Sequence, residues 1–473
     1  MSGKWLKNRE LRERLIVTGQ LTLETPTHVG NGDGGGLLDM PLHLDALEGR
    51  ALLTGTALAG ALRNYVRQVA PRVSQRLFGD AQGSRSVESL VIIDDALGML
   101  PVTEVRDGVA IDPKTRTAAD DKKYDIELLA AGTTFPLSFE LLVPKRGSRE
   151  ELFNHFAYAL QGLEQGAIHL GKRKRRGFGR CRASHWQVQR FDMTTPQGLI
   201  EWLRYQPVDS AAPVANSQQS IVELLGAAAV PVDHEGCRLE ATFMLDGSLL
   251  IRSEPDSGGA EFVHLHSRRG SGQDATAVPV LSGTSLAGAL RARAIRIANA
   301  LGKPSEQIVD ELFGKRLPEE IDRSQRRDPK EKQWTASRLW VQESVIQQPL
   351  SLIQSRVKID RFTGGSYPGA LFAEEPVFGQ SATRVTVRLA LPQPKDEEIG
   401  LLLLLLKDLW TGDLPLGGGS NIGRGQLKGE RATLTVKTTS WTITTDKTGR
   451  LAITGGTPAT LEAYVKAFVE KRA

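Results

Sequence analysis

Apolar residues alternate with polar or small ones through residues 15–23, placing Leu15, Val17, Leu21 and Leu23 on one side of an extended chain. That period of two predicts a half-buried strand. Alternation returns at residues 38–44 through Leu38, Met40, Leu42 and Leu44. The period then changes: Leu58, Leu62, Tyr65, Val66 and Val69 fall on one helical face within residues 58–69. Apolar stretches at 90–93 and 135–143 predict two further strands, 152–163 a second helix and 181–188 a closing strand. The order strand, helix, strand, strand, helix, strand is the α+β ferredoxin-like arrangement, shared with RNA-recognition modules.

The pattern occurs twice. Residues 55–63 read Gly-Thr-Ala-Leu-Ala-Gly-Ala-Leu-Arg and residues 283–291 read Gly-Thr-Ser-Leu-Ala-Gly-Ala-Leu-Arg. Each string is followed, in the same order, by further matches. Leu77-Phe78-Gly79 answers Leu312-Phe313-Gly314, and Val109-Ala110-Ile111-Asp112 answers Val357-Lys358-Ile359-Asp360. A Gly-rich turn from Leu170-Gly171 to Gly179 answers one from Leu416-Gly417 to Gly425. Each copy closes on Thr-Pro (Thr195-Pro196 and Thr457-Pro458), with Thr as N-cap and Pro at the first helical position. Such internal repetition sets the architecture: a first domain over residues 1–205, a polar linker over 206–236 with a short helical stretch near 221–228, and a second domain over 237–473.

Composition narrows the picture. Sixty Lys and Arg against 55 Asp and Glu leave a net charge of only +5, so a nucleic-acid surface has to be local. Two cysteines, Cys181 and Cys237, exclude a disulfide framework and a Cys-type zinc site. The basic start, residues 1–14, lacks the apolar core of a secretory leader. The apolar run 399–406 is too short to span a bilayer and reads as a buried helix. A cytoplasmic protein with no membrane partner is expected.

Taken together and in order, these motifs resemble the RAMP superfamily, in particular the backbone subunits (the Cas-seven group) of type III CRISPR effector complexes. Three matches carry the resemblance: the Gly-[Thr/Ser]-x-Leu-x-Gly-x-Leu-Arg helix start in both copies, the Val357-Lys358-Ile359-Asp360-Arg361-Phe362-Thr363-Gly364 stretch running on to Glu374-Glu375, and the Gly-rich loop near each copy's end. The fusion of two units resembles the double backbone subunit of a type III-D-like complex. The resemblance implies two tandem RAMP domains, each with a thumb hairpin and a Gly-rich loop. It implies stacking along a CRISPR guide RNA beside other type III effector subunits, and thumbs that flip target nucleotides. It also implies endonucleolytic cutting of the paired target RNA by a loop Asp that requires a divalent metal, with Mg2+ expected.

Within that frame the residues suggest roles, each beside a plainer one. Asp39 follows the Gly-rich segment 30–36 and precedes Met40-Pro41-Leu42, as the cutting Asp does in the resembled family, although Met40 is larger than usual there. A carboxylate can hold a divalent metal or act as a base on the ribose 2′-hydroxyl; it can equally cap a turn. Asp33 and His43 are candidate assistants, and in the second copy Asp256 is the nearest Asp, in no matching context, so that copy is expected to be weak or dead in cutting. Gly55-Thr56 and Gly283-Thr284 open helices and offer either a phosphate seat or a simple cap. Arg63 and Arg291 lie two turns further on, to contact RNA or solvent. Lys172, Arg173, Lys174, Arg175 and Arg176 form a cationic loop for the guide backbone, or a solvated loop or localisation tag. The second loop keeps only Arg424. Ile359, Arg361 and Phe362 sit on the second thumb, where an apolar wedge would meet bases, unless the hairpin packs on its own domain. The competing functions are an RNA endonuclease subunit, a structural guide-binding scaffold without cutting, and a guide-precursor nuclease. The last usually needs a His near the first helix, and none lies within 58–69.

Overall fold

In the computed structural model, which describes residues 10–30, 39–79, 87–112, 115, 117–206, 219–230, 236–255, 259–270, 275–315, 336–445 and 450–470, the first strand runs over Leu11–Leu23. Leu15, Val17, Leu21 and Leu23 are buried along it, as the alternation requires. It lies between Thr134–Pro144 and Cys181–Asp192, and Val91–Ile93 extends the sheet beyond Thr134–Pro144. All pairings are antiparallel. Helices Gly55–Arg67 and Arg149–Glu164 cover one face, where Leu58, Leu62, Phe156 and Leu160 join the strand side chains in one core. Each such fully buried Leu or Phe contributes on the order of 2 kcal/mol.

The second half repeats the order. Trp340–Val341, Arg384–Pro392, Gly236–Asp246 and Gln426–Val436 pair in the same sequence, and Thr439–Thr445 and Leu451–Gly455 widen the sheet. Helices Gly283–Ala300 and Asp396–Trp410 cover it. The apolar run 399–406 lies inside Asp396–Trp410, with Ile399, Leu401, Leu402, Leu405 and Leu406 buried. Pro458–Glu470 stacks on that helix, so closely that a Cβ at Gly400 would collide with the carbonyl of Tyr464.

Three expectations are corrected. The alternation at 38–44 is not a strand: Met40, Leu42 and Leu44 each make a single bridge, to Ile126, Gly30 and Ala51. The helix caps are Thr54 and Ser282, one residue earlier than the glycines, whose side chains accept the N–H groups of Ala57 and Ser285. The helical stretch in the linker is Ile221–Leu225, held by a Ser220/Glu223 capping box; Ile221 and Leu225 are buried in the first half's core, and Arg190 donates to the carbonyl of Leu225 at 2.8 Å. Thr195 caps Pro196–Arg204 as expected.

Each half extends an antiparallel ribbon: Thr103–Ile111 with Ala118–Leu129, and Gln354–Ile359 with Ser366–Glu375. The ribbons match residue for residue. Their registers shift at the same place, between Val109 and Ile111 and between Val357 and Ile359. Asp112 and Asp360 turn the two tips alike. Their N–H groups reach the carbonyls of Thr117 and Gly365, and their carboxylates accept the amides of Thr115 and of Phe362 and Thr363.

Candidate nucleic-acid interface

Asp39 is exposed at the edge of the first ribbon, and its Oδ2 accepts the Asp125 N–H at 3.0 Å. The next residue fixes the loop: Met40 bridges Ile126 in parallel, its carbonyl accepts the Glu127 N–H, and the Glu127 carboxylate accepts the Leu42 N–H. Two further carboxylates stand on the ribbon beside Asp39. Asp107 lies opposite Asp125 in the ladder. Burial, and then a hydrogen bond with Asp125, raise the pKa of Asp107 above the usual carboxylate range. Lys123 joins Asp107 at 3.5 Å to Glu254 of the second half at 3.1 Å. Sequence reading missed Asp107 and Asp125, which sit in a polar insertion whose pairing partner it did not identify.

His43 is half-buried, four residues after Asp39. Its N–H is held by the Val29 carbonyl. Asp33 and Asp256 lie outside the described residues. In the second half the place of Asp39 is taken by Glu261. Phe262 bridges Glu374 in parallel just as Met40 bridges Ile126, and Glu261 is exposed beside Ala373, the counterpart of Asp125.

The cationic loop is mostly spent on protein. Its tip is a short 3-10 turn, Lys174–Arg176, that plugs into the second half. Arg175 donates to the Ser337 carbonyl and lies 5.6 Å over the Trp340 ring. Arg176 donates to the Phe313 carbonyl at 3.0 Å, a cation at a helix C-terminus. Burial, followed by the nearby Arg291, pulls the pKa of Arg176 down to about 10. Arg173 stacks on Tyr124 at 4.1 Å, and burial lowers the pKa of Lys174. Lys172 is exposed. The second loop has the same backbone, with positive φ at Gly417, Gly419, Gly423 and Gly425 matching Gly171, Arg173, Gly177 and Gly179. Arg424, expected to meet RNA, is buried instead between Glu374 at 2.8 Å and Gln354 at 2.9 Å.

The helix starts are likewise occupied. The Gly55 N–H is bound by the Asp95 carboxylate at 2.7 Å, and Thr56 is exposed beside it. Gly283 lies against the carbonyls of Arg176 and Val341, so close that a Cβ would collide with both, and Thr284 is half-buried next to it. These glycines answer close packing rather than phosphate approach. Arg291 is tied to Asp310 and to the Gly314 carbonyl at 2.6 Å; Arg63 is half-buried, its carbonyl accepting Ser74. The second ribbon keeps its expected exposure: Phe362 at its tip is 98% exposed, Ile359 61%, and Arg361 is exposed between them.

Two halves that share strand order, ribbon register and loop conformation also share a sequence family. Residues 20–182 and again residues 265–428 match the RAMP superfamily, more than half of the chain. The chain belongs to the RAMP superfamily. No curated protein matches it. The two RAMP domains are locked by a buried charge cluster that sequence gave no sign of. Arg106 of the first ribbon lies between Glu104 at 2.6 Å and Glu343 of the second half, and Arg269 reaches the same Glu343 at 2.7 Å. Burial opposes the charge on Arg106, yet Glu343 and Glu104 outweigh it and hold its pKa above the ordinary value.

Among the described residues no group of three His, Cys, Asp or Glu is placed to hold a metal ion, and no helix is long and apolar enough to cross a membrane. A Mg2+ ion commonly takes one or two carboxylates and completes its shell with water and substrate phosphate. Asp39, exposed at the ribbon edge, would supply one such carboxylate; with Asp125 and Asp107 it does not form a three-ligand group.

Proposed function

We propose that this RAMP protein is a double backbone subunit of a type III CRISPR ribonucleoprotein, binding guide RNA and cutting the paired target RNA at Asp39. The observation that carries the reading is the contact between the halves. The loop of one RAMP domain inserts into the helix start of the next, a head-to-tail joint that does not close on itself. Such a joint relates equivalent parts of the two domains by a repeatable step, as a subunit lying along a strand needs. The ribbon tips offer Ile359 and Phe362 for stacking against bases without sequence preference. Lys172 and Arg361 offer charge to the phosphates. Base pairing would then supply specificity, the protein reading backbone and shape.

At the cutting position the Asp125 N–H holds Oδ2 of the exposed Asp39, and the other oxygen would meet the ribose 2′-hydroxyl or the ion. A divalent ion held there supplies charge that stabilises the departing oxygen. Asp107 and Asp125 add negative potential that favours the cation. Glu261 lacks both companions, since Ser355 and Ala373 stand in their places. The second RAMP domain therefore binds and spaces RNA. A scaffold with no cutting is the second reading, favoured by the lack of a three-ligand metal cluster among the described residues.

The test assembles the complex with guide RNA and an Asp39→Ala chain. Loss of one target fragment with guide binding intact supports the endonuclease. An unchanged fragment pattern leaves only the scaffold.

A further inference from the structure

The joint between the RAMP domains has two complementary sides, and the chain carries each side once more at its ends. On the second domain the receiving socket consists of the Ser282-Gly283 helix start, the Phe313 carbonyl that ends Ser305–Phe313, the Ser337 carbonyl and Trp340. The first domain builds the same socket from Thr54-Gly55, the end of Pro71–Phe78, Ser89 and Ile92. The match extends to single bonds. Ser337 Oγ donates to the carbonyls of Leu312 and Leu339 at 3.3 and 2.9 Å, and Ser89 Oγ to those of Leu77 and Val91 at 2.8 and 2.6 Å. A Cβ at Gly283 would strike the Val341 carbonyl, and one at Gly55 the Ile93 carbonyl.

The first socket differs in charge. Where the second has Gln342 and Glu343, it has Asp94 and Asp95, both exposed. Asp94 accepts Ser138 Oγ at 2.7 Å and Asp95 accepts the Gly55 N–H, but among the described residues neither meets a lysine or arginine. In the place of Trp340 stands Ile92, 45% exposed.

The opposite end of the chain does not suit this socket. There Gly419, Ser420, Asn421 and Ile422 replace Arg173, Lys174, Arg175 and Arg176; Arg424 is buried, and Arg252, which packs beside Gly418, is paired with Glu374 at 3.4 Å. The segment leading into the adjoining ribbon presents Leu352, 53% exposed, and the ribbon itself Leu371, 68% exposed. Their counterparts on the first ribbon are Glu104, which accepts the Arg268 N–H at 2.7 Å, and Lys123, which pairs with Glu254. One socket is thus acidic, and the loop at the other end lacks the arginines that fill the socket between the halves.

We infer that the Asp94–Asp95 socket receives a glycine loop bearing arginines at the positions of Arg175 and Arg176 from a different polypeptide, and that this chain does not stack on its own copies. The inference rests on the stacking part of the function proposed above and is independent of cutting. The arginines of the incoming loop would cap the C-terminal carbonyls of Pro71–Phe78 and meet the two carboxylates. The loop of a second copy, with Asn421 and Ile422 at the positions of Arg175 and Arg176, would leave both carboxylates without a guanidinium from the loop tip, a mismatch that selects against self-pairing.

The test gives the second loop the first loop's side chains in the full chain: Gly419→Arg, Ser420→Lys, Asn421→Arg and Ile422→Arg. Position 419 accepts Arg because Arg173 holds the same left-handed backbone. Sedimentation should show the wild-type chain as a monomer. The grafted chain should form concentration-dependent oligomers that dissolve in high salt and are lost when Asp94→Lys and Asp95→Lys are added. A grafted chain that melts normally yet stays monomeric overturns the inference, as does a wild type that oligomerises equally. If the graft melts abnormally, Asp94→Lys with Asp95→Lys in the assembled complex decides. The neighbour on the first domain's side should be lost with guide RNA and the other neighbour retained; retention of both neighbours overturns the socket, whereas loss of guide RNA from the unaltered chain would count against the function proposed above instead.

Discussion

Asp39 and Glu261 stand at the same point of the repeat, each one residue before a parallel bridge to its own ribbon, Met40 to Ile126 and Phe262 to Glu374. Their surroundings differ. Asp39 accepts an amide and has Asp107 and Asp125 beside it, whereas Glu261 uses its own N–H to bind the Ala373 carbonyl and has Ser355 and Ala373 there. Glu261→Gln is therefore expected to leave the fragment pattern unchanged in a target-cleavage assay. Asp107→Asn or Asp125→Asn should slow the Asp39-dependent cut about tenfold without changing guide affinity, a loss of roughly 1.4 kcal/mol in transition-state stabilisation.

The Glu343 carboxylate sits between Arg106 and Arg269 with no exposed surface. Glu343→Gln leaves two guanidinium groups without their shared counter-charge in a buried joint. A loss of about 3 kcal/mol is expected, read as a lowered midpoint in denaturant unfolding. Replacing Arg106, Glu343 and Arg269 together by apolar residues of similar volume should cost far less.

Two histidines set an acid limit on stability. Burial lowers the pKa of His264 to about 4, and burial followed by Arg180 does the same for His169. Both folded-state values lie below the unfolded value of about 6.5, so the folded state binds fewer protons. Their contribution is fully present above about pH 6.5 and is lost as pH falls toward 4. Each accounts for up to ~3 kcal/mol. His264→Gln, which keeps a hydrogen-bonding group near the Leu249 and Val280 carbonyls, should flatten the fall in melting temperature between pH 6.5 and 4.

The five-cation loop separates into two functions. Lys172→Ala should weaken guide binding and reduce the slope of log affinity against log salt by about 1. Arg176→Ala should mainly loosen the joint, lowering the unfolding midpoint through loss of the bond to Phe313. Equal effects of both substitutions on the salt slope would contradict this division.

The repeat made the architecture legible. Nine-residue strings, Thr-Pro helix starts and paired glycine loops predicted two copies of one ferredoxin-like fold, because these features depend on local periodicity and turn chemistry; the RAMP family came from resemblance. Positions governed by distant partners were not legible. The alternation at 38–44 looked like a strand because the chain there is extended, although only single bridges hold it. Arg175, Arg176 and Arg424 looked like RNA contacts because residue type does not reveal that Phe313, Ser337 and Glu374 lie opposite. The matching segment of the second copy, residues 258–269, was legible and holds Glu261, His264 and His266 but no Asp; that Glu261 itself answers Asp39 was not, because the ribbon register that aligns them exists only in three dimensions.

One carboxylate in the first RAMP domain, Asp39, is proposed to cut RNA paired with the guide. Mapping the breaks in an end-labelled target RNA, with wild-type and Asp39→Ala chains in otherwise identical complexes, tests it directly. A single break should vanish in the Asp39→Ala complex while guide and target binding persist. Persistence of every break in the Asp39→Ala complex would contradict it.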